Sequence, residues 1–154
     1  MDEQNRALWD RSLMAEGRAL VEKALRQRRP GPYQLQAAIA AVHSEAVCAA
    51  DTDWRQIAEL YRLLERYQPS PVVTLNRAVA VAKVQGATAG IALLRTIEKS
   101  PAMQHYHHFH AALAAWLAED HQTRSAIAAY ERALSLTRNP SERAFLRKKI
   151  SALQ

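Results

Sequence analysis

Apolar residues recur with one spacing in three parts of the chain. Ile57, Tyr61 and Leu64 stand at relative positions 0, 4 and 7. The same positions are occupied in two later segments, by Gly90, Leu94 and Ile97 and then by Ala126, Tyr130 and Ala133. The three segments begin 33 and 36 residues apart. Spacings of four and three place such residues on one face of a helix, so each segment is predicted to be an amphipathic helix.

The distance between the copies indicates a repeated helix pair. A period near 34 residues, with a small residue followed by larger apolar residues four and seven positions on, is typical of the second helix of a tetratricopeptide repeat. The first position is small where two helices cross closely. We therefore predict an all-α fold, a tetratricopeptide-like solenoid of helix pairs. Such arrays present surfaces for binding and rarely carry out chemistry.

Breaks at proline, glycine and capping residues divide the chain into about eight predicted helices. Their limits are 2–27, 33–47, 54–67, 71–84, 89–99, 101–120, 123–137 and 143–153. The first should pack across one end through a stripe that includes Trp9, Leu13, Leu20 and Ala24. The last should cap the other end, with an apolar side facing inward (Phe145, Leu146 and Ile150) and a basic side facing water (Arg143, Arg147, Lys148 and Lys149). No linker is visible, so residues 1–154 are predicted to form a single domain.

Composition narrows the classes of protein. Hydrophobic residues make up 49% of the 154 positions, which is typical of a globular chain. The four glycines are not spaced for a phosphate-binding loop. The single Cys48 excludes an internal disulfide and suits a reducing compartment. No apolar run is long enough to span a bilayer and no secretion signal is visible, so we expect a cytoplasmic protein.

The formal net charge of +6 raises the question of nucleic-acid binding. The basic residues are scattered, apart from two small clusters near predicted helix C-termini (Arg26, Arg28 and Arg29, and Arg143, Arg147, Lys148 and Lys149). Cations at those ends offset the helix dipole, and solvated helix ends are the favoured interpretation. Direct contact with DNA is ranked last among the hypotheses for this chain.

Several strings are more specific than a generic repeat. They are GPYQLQAAIAAVH at 31–43, DTDW at 51–54, PSPVV at 69–73 and LNRAVAVA at 75–82, with WDR at 9–11 and RAFL at 143–146. Together they resemble the C-terminal extension of a group of bacterial extracytoplasmic-function RNA polymerase sigma factors, in which a tetratricopeptide-like domain follows the promoter-reading domains. The resemblance covers essentially the whole chain.

The resemblance implies a regulatory protein-interaction domain that acts in transcription initiation. Its expected partners are the promoter-binding domains of the parent sigma factor or core RNA polymerase. The two domains that bind polymerase and promoter have no counterpart in these 154 residues, so the sequence looks like the C-terminal part of a longer sigma factor. The alternative is a free-standing tetratricopeptide adaptor for an unrelated protein or peptide. We expect no enzymatic activity and no cofactor.

The first helix of each pair lines the concave groove in tetratricopeptide arrays, and aligning the repeats places His43 and Asn76 at equivalent positions. Polar residues recur beside them at helical spacing, namely Gln36, Arg77 and Lys83. An amide beside a cation can bind a carboxylate or a peptide backbone, so these five residues are the predicted partner-binding groove. The structural alternative is that Asn76 bonds to a neighbouring helix end and Arg77 pairs with an acid.

Other chemistry-bearing residues have simpler interpretations. The small residues Ala37, Ala38, Ala40 and Ala41 are expected to allow close helix packing, with docking of the preceding sigma domain as the alternative. Asp51 and Asp53 are expected to cap the helix that begins at Trp54, itself a predicted core anchor. His105, His107, His108 and His110 include i,i+3 pairs, but no acidic or cysteine ligand joins them in sequence. No functional metal is therefore predicted.

Overall fold

The computed structural model describes residues 5–27 and 30–154, and the regular structure in those ranges is entirely helical. Nine α-helices and two 3₁₀ helices occur in this part of the chain. Two compact units are present, Met1–Val73 and Thr74–Gln154. The predicted all-α class is confirmed, and within each unit neighbouring helices pack against one another.

The first unit takes its core from two helices. Its elements are a 3₁₀ helix at Arg6–Leu8, α1 at Arg11–Arg26, α2 at Pro32–Glu45, a 3₁₀ helix at Ala49–Asp51, and α3 at Trp54–Tyr67. The buried side chains of α2 and α3 are Leu35, Ala38, Ile39, Val42, Ile57 and Leu64. Ile57 and Leu64 are the first and third positions of the repeat. Their burial confirms the predicted stripe on α3.

The prediction of a first helix that begins near residue 2 is wrong for the described residues, and residues 2–4 lie outside them. Trp9 and Asp10 have extended backbones, and α1 begins after Asp10. The Asp10 carboxylate accepts hydrogen bonds from the backbone N–H groups of Ser12 and Leu13. An aspartate in that position satisfies two otherwise unpaired donors, so the helix starts there and Trp9 is excluded from it.

Only part of the stripe predicted for the first helix is covered, since Trp9 and Ala24 are partly buried. Leu13 and Leu20 are 66% and 59% exposed. The residues of α1 that are partly covered are Met14, Val21 and Ala24. The apolar stripe is wider than the side of the helix that contacts α2, and two of its leucines therefore stay on the surface.

The second unit contains five complete helices and most of a sixth. α4 spans Pro71–Gln85, and it is followed by α5 (Ala87–Ile97), α6 (Pro101–Gln104), α7 (His107–Glu119), α8 (Thr123–Leu136) and α9 (Pro140–Ser151). Gly86 separates α4 from α5 and has φ = +91°, a left-handed backbone that favours glycine. This one-residue turn lets α5 begin at Ala87, two residues before the predicted start.

The repeat positions of the second unit are in its core. Leu94 and Ala126 are fully buried in the larger apolar cluster, whose other fully buried large side chains are Phe109, Met103 and Leu117. Tyr130 and Ala133 are buried in an adjacent cluster with Leu146 of α9. The spacing seen in the sequence therefore marks buried helix faces in this unit, as predicted.

The predicted sixth helix, 101–120, is two helices. His105 and Tyr106 leave helical geometry between α6 and α7. Met103 and Phe109 are buried on either side of this break, and Tyr106 packs against the same apolar cluster. In a continuous helix, Met103, Tyr106 and Phe109 would point in progressively different directions, because a spacing of three residues is less than one full turn. The break between α6 and α7 lets all three side chains reach the same core.

The terminal helix differs from its prediction at two side chains. Leu146 is buried and Ile150 is partly buried, as expected, but Phe145 is 49% exposed and lies 5.4 Å beneath the ammonium of Lys149. Arg143 does not face water. Its guanidinium donates hydrogen bonds to the carbonyl oxygens of Leu134 and Thr137, because α9 begins at Pro140 and places Arg143 beside the end of α8.

We predict opposite effects from two glycine-to-alanine changes. A Cβ on Gly90 would lie 2.5 Å from the Cβ of Ala82 and 3.1 Å from the carbonyl oxygen of Ala78, so α4 and α5 would have to separate. We expect Gly90→Ala to lower the free energy of unfolding by about 1–3 kcal/mol.

Gly17 is the matched control, since a Cβ there meets nothing within 4 Å. Gly17→Ala should raise the free energy of unfolding by about 0.5–1 kcal/mol, because alanine is the better helix former. Both values are measurable by urea unfolding. An unchanged stability in Gly90→Ala would contradict close packing at this crossing.

Candidate functional site

The five predicted groove residues fall in both units. Gln36 and His43 lie on α2 in the first unit, and Asn76, Arg77 and Lys83 lie on α4 in the second. Gln36 and His43 are seven residues apart and therefore lie on one face of α2. Asn76 and Lys83 have the same spacing and lie on one face of α4. Each half of the predicted groove is a feature of its own unit.

His43 is partly buried and packs against aromatic surface. Its ring contacts the ring of Trp54 edge-on, with centroids 5.3 Å apart. Burial lowers the pKa of His43 below the ordinary 6.5, and the nearby charge of Arg6 lowers it further. Its Nδ1 is buried without a hydrogen-bond partner. The imidazole is therefore held neutral, and Trp54 is partly buried against it rather than fully enclosed as a core anchor.

Arg6 organises the end of α2 and was missed by the sequence reasoning. Its Nη1 donates to the carbonyl oxygens of His43 at 3.1 Å and Ala46 at 2.6 Å. Its Nη2 reaches the hydroxyl of Thr52 at 3.2 Å. A guanidinium at a helix C-terminus satisfies carbonyls that have no partner within the helix. The partners are 37 to 46 residues away in sequence, so no local signal could have identified them.

Gln36 faces outward near the end of α3. Its side-chain amide donates to the side-chain oxygen of Gln68 at 3.4 Å, and both residues are exposed. A hydrogen bond of that length between two exposed amides is weak, so either amide can readily bond to water or to a partner instead.

The polar row on α4 has one exposed amide and two cations. Asn76 is exposed and Arg77 is partly buried. The ammonium of Lys83 lies 5.7 Å from the ring of the buried Trp116. A cation over an indole face is attracted by the ring quadrupole, which helps to orient Lys83 on the same face as Asn76.

A shallow apolar groove between α1 and α2 was not among the predicted sites. It encloses about 420 Å³. Its lining includes Gly17, Leu20 and Val21 from α1 and Ala37, Ala40 and Ala41 from α2. Within the alanine run Ala38 is buried and Ala41 is partly buried, as close helix packing predicts, whereas Ala37 and Ala40 are exposed. Close packing therefore accounts for only part of the run.

The capping prediction holds for one of the two aspartates before α3. Asp53 accepts a hydrogen bond from the backbone N–H of Gln56 at 2.9 Å. Asp51 instead ends the preceding 3₁₀ helix, where its carboxylate accepts from the thiol of Cys48 at 3.1 Å. The shorter spacing to Trp54 gives Asp53 the N-cap position.

The histidine cluster is arranged differently from its prediction. The break after α6 removes His105 from the helix of His108, and His110 contacts the carbonyl oxygen of Gln104 at 3.1 Å. His107 and His108 open α7, and their ring centroids lie 3.9 Å apart. The carboxylate of Glu142, from the first turn of α9, lies 3.2 Å from Nε2 of His107. An acidic group therefore joins two of the histidines in space.

Comparison with known proteins shows that the chain is similar to a bacterial protein without an assigned function. An uncharacterized protein of Rhizobium meliloti (strain 1021) is 44% identical over 154 residues, which cover 99% of this chain. The chain spans 36% of the length of that relative. No known protein-family profile matches the sequence. Among the described residues, no helix is long and apolar enough to cross a membrane.

We predict an acid-sensitive stability that depends in part on His43. The pKa values of His43, His108 and His110 lie below 6.5, with burial as the first cause in each case. The unfolded chain therefore binds protons more readily. The free energy of unfolding should fall as the pH drops from about 6.5 toward the lower folded-state values.

His43→Gln removes one of these groups. In urea unfolding, the free energy of unfolding of His43→Gln should fall less between about pH 7.5 and about pH 5.5 than that of the wild type. Gln36→Ala, at an exposed position of the same helix, removes no titratable group; it is the control and should keep the wild-type dependence. Equal pH dependence in His43→Gln and wild type would refute the role assigned to His43.

Proposed function

We propose that this chain is a regulatory protein-interaction domain of an extracytoplasmic-function RNA polymerase sigma factor. The observation that carries the proposal is the set of specific strings at 31–43, 51–54 and 69–82, which resemble the C-terminal extension of those proteins. The all-helical fold is compatible with it. So is the length of the Rhizobium relative, of which the chain spans 36%, because a domain of this kind belongs to a longer polypeptide.

The domain acts in transcription initiation by binding, without catalysis or a cofactor. Its partner is the promoter-binding part of the same sigma factor, and the contact sets how freely that part engages core polymerase and promoter. Such a contact is reversible if it is modest in area, so the domain can exchange between this partner and another.

The apolar groove of the first unit is the proposed docking surface. Leu20 on α1 and Ala37 and Ala40 on α2 line this groove and are exposed, and Leu13 is exposed elsewhere on α1. Small residues on α2 leave room for a partner's side chains, while the leucines offer apolar area. Burying one such leucine contributes about 1.5–3 kcal/mol, which is enough to dominate a modest interface.

The polar row on α4 is the proposed second contact. Asn76 can both donate and accept hydrogen bonds, and Lys83 can pair with a carboxylate of the partner. DNA has no part in the proposal. Of the basic residues near the end of the chain, Arg143 is bonded to two carbonyl oxygens and Lys149 lies over Phe145.

The proposal predicts binding that depends on Leu20. In calorimetric titration of the 154-residue chain with the purified promoter-binding domains of its parent sigma factor, Leu20→Ser should weaken binding at least about 10-fold. Phe145→Ser is the matched control, because it makes the same type of change at a residue that is 49% exposed in the second unit. It should leave affinity unchanged.

Asn76→Ala tests the second contact in the same titration. We expect weaker binding with unchanged thermal stability, since Asn76 is exposed. An equal loss of stability would favour a structural role for the amide. Absence of binding by the wild-type chain at high concentration would refute the intramolecular partner and leave core polymerase or an unrelated protein to be tested.

A further inference from the structure

Three potential ligand atoms converge in the second unit. One nitrogen each from His107 and His108 and one carboxylate oxygen of Glu142 all lie within 4.8 Å of one another. The two histidines belong to the first turn of α7, and Glu142 belongs to the first turn of α9. The cluster therefore joins two helices that are 34 residues apart in sequence at His108 and Glu142.

One contact of the cluster is short. Nε2 of His107 lies 3.2 Å from a carboxylate oxygen of Glu142, within the range of a hydrogen bond or an ion pair. An imidazole nitrogen and a carboxylate oxygen at this distance are also close enough to share a cation in place of a proton.

The separation fits a small tetrahedral ion. With metal–ligand bonds of about 2.0–2.1 Å, two ligand atoms of a tetrahedral Zn²⁺ lie about 3.3 Å apart. The 3.2 Å between His107 and Glu142 already matches that edge. A nitrogen of His108 lies within 4.8 Å of both atoms and would supply the third ligand from an exposed side chain.

The carboxylate is held in place by a neighbouring residue. The hydroxyl of Thr137 donates a hydrogen bond to a carboxylate oxygen of Glu142. A ligand held by a second residue in this way is typical of metal sites.

We propose that His107, His108 and Glu142 form a binding site for one Zn²⁺ ion, with Thr137 as the residue that positions the carboxylate. Two imidazoles and one carboxylate select Zn²⁺ over the hard cations Ca²⁺ and Mg²⁺. Three protein ligands leave the fourth position to water or to a partner's side chain. The ion stabilises the attachment of α9 to α7, and the site does not depend on the function proposed above.

The test is titration of the complete, tag-free chain with ZnCl₂ by calorimetry, with thermal unfolding in parallel. We expect one equivalent to bind and the melting temperature to rise with Zn²⁺ concentration. Glu142→Gln and His108→Gln each remove one ligand and should weaken binding at least about 10-fold. His105→Gln is the matched control, because His105 lies just outside the cluster, and it should bind as the wild type does.

Two further measurements keep the proposal falsifiable if Glu142→Gln is poorly folded. His108 is exposed, so His108→Gln should fold, and metal-free circular dichroism verifies this for each variant. Thr137→Val retains all three ligands and should still weaken binding about 10-fold, because it frees the carboxylate. Co²⁺ should give the visible absorption of a tetrahedral site in the wild type and lose it in His108→Gln.

Three results would overturn the site. They are the absence of saturable binding at one equivalent, undiminished binding in both ligand variants, and equal weakening in His105→Gln and His108→Gln. The last would show non-specific binding by surface histidines.

Discussion

Close approach of helices through small side chains is the constraint on which the packing of this protein depends. Gly90 lies so near Ala82 that a single added methyl group would push α5 from α4. Ala114, Ala126 and Ala133 are likewise fully buried where their helices meet neighbours. Because helix backbones come this close, larger side chains such as Phe109 are confined to the spaces between crossings. Small residues thereby set the distance between helices, and large side chains fill the spaces that remain between the crossings.

Local patterns predicted the helices well and their contacts less well. The 0, 4, 7 spacing and the capping residues located α3 to within its observed limits, because both signals act within one or two turns. The break at His105 and Tyr106 was missed, since it arises from the need of Met103 and Phe109 to reach one core. Arg6 at the end of α2 and Glu142 beside His107 were also missed, because each meets partners more than thirty residues away. The exposure of Leu13 and Phe145 depends on how much of each helix a neighbour covers, which periodicity does not reveal.

The two units differ in how completely they bury their apolar residues. The second contains a continuous cluster from α4 to the end of the chain, with Phe109 and Leu94 fully enclosed. The first has a smaller core between α2 and α3, and none of the residues of α1 is fully buried. A helix with so little buried area gains stability from any partner that covers its leucines. This contrast in burial supports the proposal that the first unit carries the docking surface.

Arg6 gives the first unit a connection that bypasses its own first helix. The guanidinium binds the last carbonyls of α2 and the Thr52 hydroxyl, so the backbone before α1 is fastened to the turn before α3. A displacement of the chain at Arg6 would therefore reach the start of α3 directly, without travelling along α1. A force applied to the chain at Arg6 would be carried by the Arg6 side chain to the end of α2 and to Thr52. It would not have to pass through α1.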